Sequence, residues 1–198
     1  MANVNRPFGF FPVGHLDGSP FSGTMRMYLF DDANACYVGD PVISAGSAGA
    51  AGLFVNGINC EGMPTATVAA AGGNLLGVVT AFLPLQSDSM IIHKQATATD
   101  RIGLVVDAPD VVFEVQEDSV ANNIAVTQVG NNFDLAYTAG NGTTGISAAE
   151  LDSSDASGTA TAQFRLLRLA PKPDNEVGTD AKWHVYINEH EHKSTTGV

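Results

Sequence analysis

The sequence predicts an all-β fold: a compact β-barrel or β-sandwich body preceded by an extended N-terminal arm. Three observations predict it. Val111, Phe113 and Val115 alternate with Val112, Glu114 and Gln116, the period-2 pattern of a strand with one buried face. Trp183, Val185 and Ile187 alternate in the same way with Lys182, His184, Tyr186 and Asn188. Between such runs stand clusters of Gly, Asn, Asp and Pro, as in Asp107-Ala-Pro-Asp110, where Pro sets φ and Asp bonds its own backbone. A chain of 198 residues buries roughly 70% of its unfolded surface, enough for one core without staples.

Residues 1–24 read as the arm. Phe8, Phe10 and Phe11 stand between Pro7 and Pro12, with neither helical spacing nor alternation. Left wet, these rings would be an aggregation hazard, so the arm is expected to lie along its own body or a neighbour's. His15–Pro20 and Ser22-Gly23 are turn signals.

Residues 25–188 form the β-rich body, as one unit or as two small lobes at about 25–88 and 89–188. In the first half, Met25–Phe30, Cys36–Ile43, Leu53–Ile58, Thr65–Ala69 and Asn74–Phe82 read as strands. Pro41, after Gly39-Asp40, marks a bulge or an edge, because Pro cannot donate to a central ladder. Gly46–Gly52 reads as a flexible loop and Gly72-Gly73-Asn74 as a hairpin turn. In the second half, Met90–Ile92, Arg101–Asp107, Val111–Gln116, Ile124–Val129 and Phe133–Tyr137 are strand-like. Ser147 and Glu150 have capping-box spacing, which predicts one helical turn over Ser147–Leu151. Ala160, Ala162, Phe164 and Leu166 then share a face, with Thr159, Thr161, Gln163 and Arg165 opposite. After the Pro171–Gly178 linker comes the Trp183 strand. Its apolar face is expected to meet those of Val111, Phe113 and Val115, and of Phe164 and Leu166, in one core. Lys182 and His184 would then face solvent. Residues 189–198 read as a flexible polar tail.

Hydrophobic content is 44% but charged content only 15%, against a typical ~25%. Small neutral residues therefore cover much of the surface, which suits either a face resting on a partner or a plain neutral β-domain. The net charge is −12 and the pI about 4.5. Nine Lys and Arg in the chain do not make a nucleic-acid footprint, and an anionic membrane would repel it. The first ten residues lack a signal-peptide pattern. The uncharged stretch Gly62–Ser87 is broken by Pro64, Gly72, Gly73, Asn74 and Pro84, so no transmembrane helix is expected.

Chemistry finds little purchase. His190-Glu191-His192, with His184 on the adjacent strand, lacks the rigid shell a metal site needs. Asp107, Asp110, Glu114, Glu117 and Asp118 lack an EF-hand loop, and no aromatic sugar platform accompanies them. They read, with Glu150, Asp152 and Asp155, as a solvated acidic face. Asp17-Gly-Ser19 near His15 is not a nucleophile elbow. Cys36 and Cys60 do not make a disulfide framework; buried thiols are the expected state, and Cys36 has no basic neighbour in sequence to activate it. No catalytic residue, metal or cofactor is expected.

At Arg6-Pro-Phe-Gly-Phe, Pro12-Val13, His15–Pro20, Gly39-Asp-Pro-Val42, Leu76-Gly-Val-Val79, Asp107–Glu117, Pro173–Gly178 and Ala181-Lys-Trp183 the chain resembles small structural proteins of tailed bacteriophages. These are the capsid decoration or cement proteins encoded beside the major capsid protein. The resemblance runs in order from residue 6 to about residue 188. Gly39–Val42 and Leu76–Val79 are also similar to the small β-tulip-like lobe of lambdoid head-decoration proteins, which sit as trimers on an expanded shell. The resemblance implies a non-enzymatic protein of the capsid exterior, assembled in the host cytoplasm. Its implied partners are the major capsid protein and itself, as a homotrimer. The arm residues Arg6, Phe8, Phe10, Phe11 and Val13 are the candidate capsid or subunit contacts. Rival readings are another virion part, such as a head fibre base or tail component, and a carbohydrate-binding β-sandwich on the virion surface.

Overall fold

The computed structural model describes residues 3–85, 89–96, 100–120, 122–154 and 161–193. The strands in chain order are β1 (Phe11–His15), β2 (Arg26–Phe30), β3 (Pro41–Ala48), β4 (Phe54–Val55), β5 (Ile58–Asn59), β6 (Pro64–Val68), β7 (Gly77–Phe82), β8 (Arg101–Val106), β9 (Val111–Gln116), β10 (Asn132–Phe133), β11 (Leu135–Ala136), β12 (Glu150–Leu151), β13 (Phe164–Leu169) and β14 (Lys182–Ile187). The fold is all-β. Among the described residues its only helical turns are the 3-10 turns Val126–Gln128 and Glu191–Lys193, and no helix is long and apolar enough to cross a membrane.

Alternation decides where each strand goes. On β14, Trp183, Val185 and Ile187 turn inward, and their neighbours on β9 and β13 do the same. Trp183 lies opposite Val115 and Val185 opposite Phe113; on the other side, Leu166 lies opposite Val185 and Phe164 opposite Ile187. These strands are the centre of an antiparallel five-stranded sheet in the order β1-β9-β14-β13-β10. The three apolar faces form the single core expected of them, because all belong to one face of one sheet. Each large side chain buried there contributes roughly 1.5–3 kcal/mol.

β2, β6, β3, β7 and β8 close into a barrel with Tyr28, Phe30, Val42, Val79 and Val105 inside. Leu75, Val78 and Val106 from this half also enter the core under the five-stranded sheet, so the two sheets share apolar packing. On the barrel's outside, Val55 and Cys60 cover Leu29 and Ile102. The β4–β5 hairpin there turns at Asn56 (φ 52°) and Gly57 (φ 78°), the two positive φ angles a tight hairpin demands. Cys36 and Cys60 are free, buried and in separate clusters.

Several expectations are corrected. The arm is not a separate appendage: Phe11–His15 pairs with β9 as an edge strand, with a bulge between Pro12 and Gly14 that breaks its alternation. Any division into lobes falls at residues 107–110 and not at 88, because β8 closes the barrel against β2. Gly72-Gly73-Asn74 does not turn a hairpin, since β3 lies between β6 and β7. Nor is Gly46–Gly52 all loop, for β3 runs on to Ala48, opposite Pro64. Met90–Ile92 forms no strand: the carbonyls of Ile91 and His93 accept from the buried Arg101 guanidinium at 3.0 and 2.7 Å. Over Ile124–Val129 only Ile124 is buried, and Val126–Gln128 coils into a 3-10 turn.

The turn expected at Ser147–Leu151 is not helical. Ser147 Oγ accepts from the Ala149 N–H at 3.0 Å, and Glu150–Leu151 pairs with β11. The start of the tail is fixed: Leu75 donates its N–H to the Glu189 carbonyl at 2.7 Å and accepts from the Glu191 N–H at 2.9 Å. His190 is buried beside that contact, and burial pushes its pKa down to about 4. Residues 1–2, Ser87, Asp155, Thr159, Ala160 and 194–198, which also figure in the expectations, lie outside the described residues.

Candidate functional site

The N-terminal segment is tied down by the side chains of its own Asn3 and of Gln116. Asn3 Nδ2 donates to the carbonyls of Glu176 and Thr179 at 2.8 and 2.9 Å, and Asn3 Oδ1 accepts from the Glu176 N–H at 2.9 Å. The buried Gln116 amide clamps the next turn of chain. Its Oε1 accepts from the Arg6 N–H at 3.0 Å, and its Nε2 donates to Asn5 Oδ1 and Glu150 Oε1, both at 3.1 Å.

Gly9 then sets which ring goes inside. It has φ +73°, and a Cβ there would stand 2.5 Å from the Gly39 carbonyl oxygen, so only glycine fits. Past it, Phe10 donates its N–H to Gly39 O at 2.9 Å and buries its ring, stacked on Phe164 with centroids 4.4 Å apart. Phe11, one residue on, faces the other side of the sheet and is 62% exposed.

Phe11 lies opposite Glu114 in the ladder, and this register builds a groove. Val4, Arg6, Pro7, Phe8, Phe11, Val13, Glu114, Thr144, Ile146, Lys172, Asp174 and Lys182 line an open cavity of about 970 Å³, within the range of ligand clefts. Four of the five expected contact residues, Arg6, Phe8, Phe11 and Val13, meet there. The fifth, Phe10, is corrected: it is 1% exposed in the protein's own core and offers a partner no surface.

Glu114 organises the floor. It is almost fully buried, with Lys172 Nζ 2.5 Å from Oε1 and His184 Nε2 3.8 Å from Oε2. Burial alone would raise its pKa, but the His184 and Lys172 hydrogen bonds and charges outweigh it and hold the carboxyl below its ordinary value. His184 Nδ1 meets Arg168 Nε at 3.3 Å. His184 is 7% exposed, so the outer face of β14 is not simply solvated.

The acidic run does not stay together as a face. Asp107 accepts from the Tyr28 hydroxyl at 2.8 Å and the Arg26 guanidinium at 3.1 Å, and Asp110 pairs with His15 Nδ1 at 3.0 Å. Glu117 is buried, taking the Trp183 indole N–H at 2.9 Å and the Ile124 N–H at 3.0 Å. Burial pushes its carboxyl up to about 7 against these donors. Ser19 Oγ donates to Asp17 Oδ1 at 2.7 Å. His190 and His192 have ring centroids 5.2 Å apart, but among the described residues no three His, Cys, Asp or Glu stand where they would hold a metal. Burial raises the Cys36 thiol well above its usual range.

Sequence reasoning missed Glu114, Lys172, Lys182 and Asp174 as partners of the arm. The available signal was the parity of β9, which puts Glu114 on the face opposite Phe113. Compared with known proteins, no family model, no curated sequence and no solved structure matches this chain.

Proposed function

We propose that this chain is a capsid decoration protein, a structural component that binds the outside of an assembled tailed-phage head and stabilises it. The observation that carries the reading is the groove: Arg6, Phe8, Phe11 and Val13 converge on one open site. Those four fall in the first of the stretches that resemble decoration proteins, within residues 6–13. A rigid sheet beneath an exposed aromatic suits a protein that must dock at many equivalent places.

The mechanism is mass action. A ligand that binds the assembled shell and not its precursors stabilises the shell by its binding free energy at each site. Burying Phe11 in a partner contributes ~1.5–3 kcal/mol before ordering costs. That is a weak contact, and a homotrimer would let three such contacts act together through effective concentration.

The test is quantitative mass spectrometry of purified virions followed by cryo-EM. The expected result is a copy number of the same order as the major capsid protein, with density on the outer shell. Density confined to the tail or to one vertex, or absence from virions, overturns the proposal.

A further inference from the structure

The nine Lys and Arg of this acidic chain are not spread evenly. Lys94 and Arg101 are buried, and Arg26 pairs with Asp107 at 3.1 Å. Of the other six, Lys182, Arg165 and Arg168 lie on the outer face of β14 and β13, and Arg6, Lys172 and Lys193 border it. Lys182 alternates with the inward Trp183, and Arg165 and Arg168 lie opposite Tyr186 and His184 on the same face. Lys172 reaches Glu114 from above the face. Lys193 stands over the Tyr186 ring, 5.5 Å from its centroid. Arg6 borders the face where its N–H meets Gln116. Of the six, only Lys172 has a carboxylate partner among the described residues.

We infer that this face is the docking surface for an acidic, extended segment of a partner protein, with an apolar side chain of that segment entering the groove beside Phe11. The inference deepens the decoration reading by naming the chemistry the shell presents. Its charge argument stands without that reading. Unpaired cations on a chain of net charge −12 make a local field of opposite sign, which orients an anionic partner and repels the rest of it.

One feature favours a protein segment over a nucleic acid. The groove wall is apolar at Val4, Pro7, Phe8, Phe11, Val13 and Ile146. Self-docking would need an acidic patch of a second copy to meet the cationic face head-to-tail, and sedimentation separates that outcome.

The experiment uses the full chain and a fluorescein-labelled oligopeptide of alternating Asp and Leu. Controls are its Lys-for-Asp counterpart and a labelled oligothymidylate. The expected result is salt-sensitive binding of the acidic peptide alone, weakened at least about tenfold by the double variant Arg6→Glu/Lys182→Glu and again by Phe11→Ser. An unchanged melting temperature shows that the variants fold; should one fail to, Arg168→Glu, on the same face, gives the charge reversal.

Acidic-peptide binding that ignores the charge reversals overturns the inference, and so does equal binding of the oligothymidylate. Sedimentation showing concentration-dependent self-association that the same variants abolish would assign the face to a second copy, and would also overturn it. The two proposals fail separately. Peptide binding by a protein absent from virions sinks only the decoration reading. Virion binding indifferent to the reversals sinks only this one.

Discussion

Trp183 is the only tryptophan in the chain and one of its largest fully buried side chains. Replacing it by Ala opens a cavity in the middle of the five-stranded sheet, at a cost of ~3–5 kcal/mol. It also strips Glu117, a buried carboxylate, of the indole donor at 2.9 Å. A hydrogen bond to a charged group is worth ~1.5–3 kcal/mol. The two terms share one site and do not add fully, so the expected loss is about 5 kcal/mol, against a total stability of ~5–15. Trp183→Phe separates them by retaining most of the volume and losing only the donor.

The two terms differ in pH dependence. Burial holds Glu117 at about 7 although Trp183, Ile124 and Ser119 all donate to it. Removing the indole N–H raises it further, and a protonated carboxyl misses that donor less. The cost of Trp183→Phe is therefore larger at pH 8 than at pH 5.5. Urea unfolding followed by far-UV circular dichroism at both pH values measures this directly. Near-wild-type stability for Trp183→Ala would mean that the strand is inside out. A Trp183→Phe cost independent of pH would mean that Glu117 is not the titrating partner.

Other outcomes follow from the same contacts. Glu117 and Glu150 are each raised to about 7 from an ordinary 4.5, both by burial first. The folded state therefore binds their protons more tightly, and stability should rise as pH falls from 8 towards 6.5, by about 1 kcal/mol. Below that, His190, depressed to about 4, offsets part of the gain, because the unfolded chain takes up its proton first, while the two carboxyls still favour the folded state down to their ordinary 4.5. Thermal melts should show stability rising steeply from pH 8 to 6.5 and more slowly from 6.5 to 5, and Glu117→Gln should flatten the rise. Removing residues 1–8 should leave a folded body, whereas removing 1–14 takes out Phe10 and β1 and should cost at least the ~3–5 kcal/mol of a core Phe; equal melting temperatures for the two truncations would contradict the placement of Phe10. Gly9→Ala should destabilise strongly, since its Cβ has no room beside Gly39, and an unchanged melting temperature would show that the Phe10 anchor is not held there.

What the sequence made legible is what parity writes into it. β9, β13 and β14 each carry large apolar side chains at alternate positions, so their inward faces and their common core could be read before any neighbour was known. β1 was hidden for a local reason. Pro12 and the bulge before Gly14 interrupt its alternation, and the turn that separates buried Phe10 from exposed Phe11 depends on the φ of Gly9. The fixed start of the tail, 189–193, was hidden because its ties run through the Leu75 backbone, which carries no residue-type signal.

Buried polar side chains escaped for another reason. Gln116, Gln163, Lys94 and Arg101 look like surface residues, yet each satisfies several groups at once. Gln163, for example, donates to Ala70 O and Gly73 O at 3.0 and 2.9 Å while accepting from the Leu135 N–H at 3.1 Å. Such multiple satisfaction is what makes a buried amide tolerable, and it depends on loops far away in sequence. The groove combines both situations. Its aromatic half was legible, because clustered Phe beside Pro demands a surface to lie on. Its charged half was not, because Lys172 and Lys182 reach the arm only through β9, the strand that Phe11 joins opposite Glu114. A groove made of one local motif and one sheet register is half visible to composition, and the register supplies its charge.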